Sequence, residues 1–164
     1  MATQVQFRRG TTSQHGSFTG AVGEVTVDTD KDTVIVHDGS QAGGFAIPNL
    51  KTAQEFSKTQ NFNATTLTDA STIAWDASAN QVTSVTLGAS RTLGAATNQI
   101  DGAVYVLTVI QDGSGSRTLS FNSNYKFTGG VAPTLTTTAA ARDILVFTSN
   151  GTNMFEIGRS LNVS

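Results

Sequence analysis

The sequence predicts an all-β chain: a small N-terminal hairpin module over residues 1–48, a linker over residues 49–64, and a C-terminal antiparallel β-sandwich or jelly roll over residues 65–164. Three observations predict it. Hydrophobic residues make up 38 % of the chain, with Val, Ile and Thr prominent, and β-branched residues suit a pleated, half-buried surface. They fall in short runs bounded by Gly, Asn and Asp, the punctuation of strands and turns. A length of 164 residues allows one ordinary domain or two small ones, and a change of pattern near residue 60 divides the chain.

The first element is a hairpin. Glu24–Asp28 and Thr33–His37 are β-branched runs joined by Thr29-Asp-Lys-Asp32. Alternation puts Val25 and Val27 on one face of the first strand, and Val34 and Val36 on one face of the second. Two strands cannot cover such a face by themselves. Gly10, Gly16, Gly20, Gly23, Gly39, Gly43 and Gly44 mark turns around it and leave little room for a private core. Self-association is the simplest way to bury the four valines.

Within the linker, Asn49–Lys58 suits a short helix with Asn49 as cap and Leu50, Ala53 and Phe56 on one side. Beyond it a strand-and-turn rhythm predicts strands at Ser71–Trp75, Gln81–Leu87, Ala103–Ile110, Arg117–Phe121, Asp143–Thr148 and Met154–Gly158. Asp112–Ser116 and Ser149–Asn153 read as hairpin connections, the second built on Asn150-Gly151. Trp75, Phe121 and Phe155, set in apolar strands, are expected in the core. Tyr125 and Phe127, near Gly129-Gly130, are the candidate surface aromatics for stacking on a sugar.

Composition argues against several function classes. Charged residues are only 13 % of the chain and the net charge is −2, so the clustered positive field that nucleic acid requires is missing. Arg8 and Arg9 are the only adjacent basic pair. The absence of cysteine removes disulfide and thiolate chemistry and fits assembly in a cytosol. Met1–Arg9 lacks the apolar core of a signal peptide, and the longest apolar stretch, Ala103–Ile110, falls far short of the ~20 residues of a membrane span. A soluble chain with no membrane insertion is expected.

The catalytic patterns fail at named residues. Asp28, Asp30 and Asp32 have the D-x-D-x-D spacing of a calcium loop, but Thr33 and Gly39 stand where that loop needs Gly and Glu, which favours a polar turn. His15 and His37 are the two histidines, and neither has the spacing of a hydrolytic triad or a zinc site; His37-Asp38-Gly39 reads as a strand end and turn. No nucleotide, hydrolase or metalloprotease motif occurs, and Gly113-Ser-Gly-Ser is followed by a strand rather than a helix. Sugar cleavage would need two convergent carboxylates, of which there is no sign. No enzyme activity and no cofactor is expected.

Phe7-Arg-Arg-Gly-Thr-Thr12, followed by Phe18-Thr-Gly-Ala-Val-Gly-Glu-Val-Thr-Val-Asp28 and Thr33-Val-Ile-Val-His-Asp-Gly39, resembles the short N-terminal module of phage tail-fibre and receptor-binding proteins of the major tropism determinant type. Leu67–Asp76, Asn80–Leu87, Arg91-Thr-Leu, Ile110-Gln-Asp-Gly, Arg117–Phe121 and Ser149–Asn153 are similar to a β domain recurrent in phage structural proteins. The resemblance implies a trimeric, intertwined β module, often the part joined to the virion. The expected protein is a homotrimeric appendage on the virion surface, assembled in the host cytoplasm, either a short tail fibre or tail attachment, or a capsid decoration or head fibre. Its expected partners are itself and phage capsid or tail proteins, with a host surface glycan as the alternative. Phe7, Arg8, Arg9, Val25, Val27, Val34 and Val36 are the candidate trimer or virion interface.

Overall fold

In the computed structural model, residues 6–48 and 59–163 are described. The helix expected over Asn49–Lys58 lies outside them. The chain packs as two compact units, Met1–Gln60 and Asn61–Ser164. No helix among the described residues is long and apolar enough to cross a membrane.

Among its described residues the N-terminal unit holds one four-stranded sheet and one short helix. Strand β1 (Arg8–Gly10) leads into α1 (Thr12–Gly16), and β2 (Val25–Asp28), β3 (Thr33–Val36) and β4 (Phe45–Ala46) follow. The strand order is β1-β2-β3-β4, with β1 parallel to β2 and the other pairs antiparallel. A capping box starts α1: the Thr11 hydroxyl accepts from Gln14 N–H at 3.2 Å, and the Gln14 side chain accepts from Thr11 N–H at 2.8 Å. Such reciprocal caps let a five-residue helix stand without length of its own. The β2–β3 turn forms around Asp28, whose Oδ1 accepts from the N–H of Asp30 and Lys31 at 3.0 and 3.2 Å.

The C-terminal unit is a two-layer β fold, but its sheets are mixed rather than antiparallel. Its strands are β5 (Ala64–Thr66), β6 (Thr72–Asp76), β7 (Val82–Leu87), β8 (Arg91–Thr97), β9 (Val104–Gln111), β10 (Leu119–Phe121), β11 (Tyr125–Lys126), β12 (Arg142–Ser149) and β13 (Met154–Ser160). One sheet has the order β10-β8-β6, all parallel; the other has the order β11-β13-β12-β9-β7-β5. From β5 to β10 the chain alternates between the two sheets, so β5, β7 and β9 lie side by side in parallel in one layer, and β6, β8 and β10 do so in the other. Parallel neighbours need a crossover, and here the crossover is a strand of the facing layer. The Asp112–Ser116 segment is therefore a passage between sheets and not a hairpin. Ser149–Asn153 is the hairpin that joins β12 to β13 antiparallel, with Gly151 at φ +81°.

Both layers face one core. Ile73, Trp75, Leu93 and Leu119 come from the three-stranded sheet; Val85, Leu87, Tyr105, Leu107, Leu145, Phe147 and Met154 come from the six-stranded one. Trp75 sits among three rings, stacked with Tyr125 and edge-on to Tyr105 and Phe147, all at centroid distances of 6.2–6.3 Å. Its indole N–H donates to the Asn80 carbonyl at 2.8 Å, so the buried polar end is satisfied. Phe155 departs from expectation: it follows the buried Met154 in β13, and alternation turns it outward, 38 % exposed.

Candidate interaction surface on the N-terminal sheet

Register fixes which side chains share a face. Val25 pairs with Val36 and Val27 with Val34, so the four valines form one patch. Val36 also pairs with Phe45, and Arg9 pairs with Val27, which extends the patch across all four strands. Ile47 donates its N–H to the Val34 carbonyl at 2.8 Å and continues the register past β4. This face is open: Val34 and Val36 are each 37 % exposed, Phe45 50 %, Ile47 51 % and the neighbouring Phe7 57 %.

The opposite face is closed, and it is polar. Thr26, Asp28, Thr33, Ile35 and His37 are buried there, together with His15 from α1. Among the described residues of this unit, Ile35 is the only large apolar side chain that is buried. The usual arrangement is thus inverted, with polar groups sequestered and apolar ones presented. Arg8 belongs to the closed side. It pairs with Thr26, its guanidinium lies 2.8 Å from Glu24 and it covers the Phe18 ring at 4.9 Å. Of the candidate interface residues, the structure brings Arg9 and the four valines together, leaves Phe7 exposed nearby and turns Arg8 away.

The buried polar groups are paired throughout. His15 Nε2 lies 2.9 Å from Thr26 Oγ1, which lies 3.0 Å from His37 Nε2. His15 Nδ1 is 3.0 Å from the Thr11 carbonyl, and His37 Nδ1 accepts from Gly20 N–H at 3.3 Å. Two glycines make the slot for the His37 ring. A Cβ on Gly20 would stand 2.6 Å from His37 Cγ, and one on Gly44, at φ +59°, would stand 2.8 Å from His37 Nδ1. Asp28 accepts from Thr12 Oγ1 at 2.7 Å. Burial works to raise its carboxyl, while the bonds from Thr12, Asp30 and Lys31 and the nearby His15 outweigh that and hold it below the usual carboxylate range. Asp30 accepts from Thr12 N–H at 3.0 Å. Two of the three aspartates thus tie the turn to α1, as a polar turn would.

Sequence reasoning treated His15 and His37 as separate and missed α1. The signal for the helix was present, since Thr11-Thr-Ser-Gln14 is the capping-box spacing. Nothing in the sequence couples the two histidines, because Thr26 joins them only after the sheet and helix have packed.

Of the two sugar-stacking candidates, Tyr125 is corrected. Tyr125 is 4 % exposed and part of the core, donating its hydroxyl to the Gly94 carbonyl at 2.9 Å. Its place in β11 beside Met154 turns the ring inward, so no ligand can stack on it. Phe127 is half-buried, edge-on to Phe121 at 4.9 Å and to Phe147 at 6.2 Å.

Comparison with known proteins bears on both units. Residues 5–41 match the family described as the major tropism determinant N-terminal domain. The tail fiber receptor-binding protein of Bordetella phage BPP-1 is 40 % identical over 153 residues, which cover 88 % of this chain and 36 % of that protein. The chain therefore spans about a third of the length of this curated relative. Among solved structures, the major tropism determinant I1 variant is 67 % identical over 27 % of this chain and 12 % of its own, with a TM-score of 0.27. The M1 variant is 27 % identical over 88 % of this chain and 37 % of its own, with a TM-score of 0.29.

Proposed function

We propose that this chain, whose residues 5–41 match the major tropism determinant N-terminal domain, is a structural protein of a phage attachment apparatus and works as a homotrimer. The observation that carries the self-association is the inverted N-terminal sheet, with Val25, Val27, Val34, Val36, Phe45 and Ile47 on an open face while threonine, aspartate and histidine fill the closed one. Burying a valine fully is worth roughly 1.5–3 kcal/mol, so three copies sharing this face gain what one copy lacks. The stoichiometry of three follows the resemblance of the N-terminal residues. Arg9, on the same face, lies at the rim of the shared surface, and Arg8 supports it from behind through Glu24.

Of the two virion placements, the tail is favoured over the capsid, because the relative matched along 88 % of this chain is a tail fibre protein. The receptor contact in that relative's name is not transferred to a residue here, since Tyr125 is inside the core.

The test is the oligomeric state of the full chain. Light scattering should give a trimer, and Val34→Asp should give a monomer, because a carboxylate on the apolar face cannot be buried without a partner. Ser13→Asp, on the exposed side of α1, should remain trimeric. A monomeric wild type at micromolar concentration sinks the self-association reading. Labelled protein should also bind purified tails; binding to heads alone would reverse the placement, and binding to neither would remove both.

A further inference from the structure

The hydrogen bonds around Thr26 have only one consistent direction for neutral rings. A carbonyl accepts and never donates, so His15 carries its proton on Nδ1, toward Thr11. A backbone N–H donates and never accepts, so His37 Nδ1 is bare toward Gly20 and its proton sits on Nε2. Thr26 Oγ1 then accepts from His37 Nε2 and donates to His15 Nε2. The relay runs from Gly20 N–H through His37, Thr26 and His15 to the Thr11 carbonyl, which also accepts from the His15 backbone N–H, and every ring nitrogen is engaged.

A second proton on either ring breaks this order. On His37 it sets Nδ1–H against Gly20 N–H, two donors facing each other in a slot walled by Gly20 and Gly44. On His15 it forces the Thr26 hydroxyl to accept from both rings and leaves its own proton without an acceptor. We propose that His15, Thr26 and His37 form an acid-sensitive latch that holds the valine face of β2 and β3 in its assembling shape, so that mild acid releases the subunits. This rests on the self-association reading. The latch and the face belong to the same two strands, because Thr26 lies between Val25 and Val27, and His37 follows Val36.

The charged groups around the relay do not cancel the effect at His37. Asp28 of β2 is the carboxylate that interacts electrostatically with His15. Glu24, beside His37 across Gly20, is already engaged by Arg8 and by Ala21 N–H. Asp38, the next residue, spends its oxygens on Ser40 and Gln41. Arg8 and Arg9 of β1 border the cavity of about 230 Å³ that His15 and Thr26 also line, at the His15 end of the relay. The bonds from Gln41 and Ser40 keep the Asp38 carboxyl down at about 2, so it stays charged while imidazoles titrate.

Sedimentation velocity of the full chain at about pH 8 and about pH 5.5, at constant ionic strength, tests the latch. Wild type should associate at the higher pH and weaken by up to about tenfold per protomer at the lower. His37→Gln, which keeps a donor toward Thr26 and cannot titrate, should associate equally at both. Wild-type association unchanged by acid, or a His37→Gln profile that follows wild type, overturns the proposal. Should wild type be monomeric at the higher pH, the trimer reading fails by itself. The latch is then judged by NMR: at the higher pH the imidazole ¹⁵N shifts must show His15 protonated on Nδ1 and His37 on Nε2, and the amide signals of residues 8–46 must lose dispersion in acid. Another tautomer pair, or an amide spectrum indifferent to acid, overturns it. The same spectra decide if His37→Gln does not fold.

Discussion

Tyr125 carries its hydroxyl into the core of the C-terminal unit, where Gly94 is its acceptor and burial pushes the phenol up from its ordinary value. A raised value in the fold means that the folded state holds the proton more tightly than the unfolded chain does. The stability this contributes is fully present below the unfolded value of about 10 and is lost as pH rises above it. Absorbance titration in alkali should therefore show Tyr125 ionising together with unfolding. Tyr125→Phe should cost about 1 kcal/mol at neutral pH, for the lost hydrogen bond, and flatten the alkaline fall in stability. Ionisation of both tyrosines with the fold intact would contradict the placement. The slot around His37 gives a second residue-scale outcome. Gly20→Ala sets a methyl 2.6 Å from the His37 ring, and the ring cannot retreat without leaving Thr26. Chemical denaturation should show the N-terminal unit weakened by roughly 1–3 kcal/mol, with the C-terminal unit unchanged.

At the scale of elements, one buried carboxylate holds the long connection between β11 and β12. Asp143, 2 % exposed in β12, accepts from Thr136 N–H at 2.6 Å and from Asn162 N–H at 2.8 Å, so it fastens the loop on one side and the segment after β13 on the other. Asp143→Ala leaves two N–H groups without their acceptor and should destabilise the C-terminal unit by roughly 3 kcal/mol, with hydrogen exchange quickening first at Thr136 and Asn162. Equal protection at those amides would show that the carboxylate is dispensable. Strands with strong alternation were legible from sequence: β7, β9 and β12 lie within a residue or two of where the β-branched runs put them. Strand β8 was not, because Arg91-Thr-Leu-Gly-Ala-Ala-Thr97 is built from small residues, and its hold on β6 and β10 comes from register and from Leu93 in the core. Alternation reports which face a side chain takes, and it says nothing of which strand lies alongside. That is why a chain winding between two layers read as a series of antiparallel hairpins. The face shared by Val25, Val27, Val34 and Val36 was legible for the same reason in reverse, since alternation is all that it required.

At the scale of the whole chain, the two units meet their stability requirements by different means. The C-terminal unit owns a continuous core of seventeen buried side chains, whereas the described part of the N-terminal unit buries one large aliphatic residue and a polar network. On the proposed self-association such a unit draws on burial between copies, and a transition that includes dissociation depends on concentration by mass action. Calorimetry of the full chain should therefore show two transitions. One should rise in temperature as protein concentration is raised tenfold, and Val34→Asp should abolish that dependence and lower or remove the transition. The other should stay fixed under both changes, because its core is contained within one chain. Two transitions that both shift with concentration would mean that the C-terminal unit also buries surface between copies, and the outer face of its six-stranded sheet would then have to be counted in the assembly. A single transition independent of concentration would mean that the valine face is stable in water, against the area it exposes. The measurement separates these cases without isolating either unit, because each case assigns a different pair of responses to the same molecule.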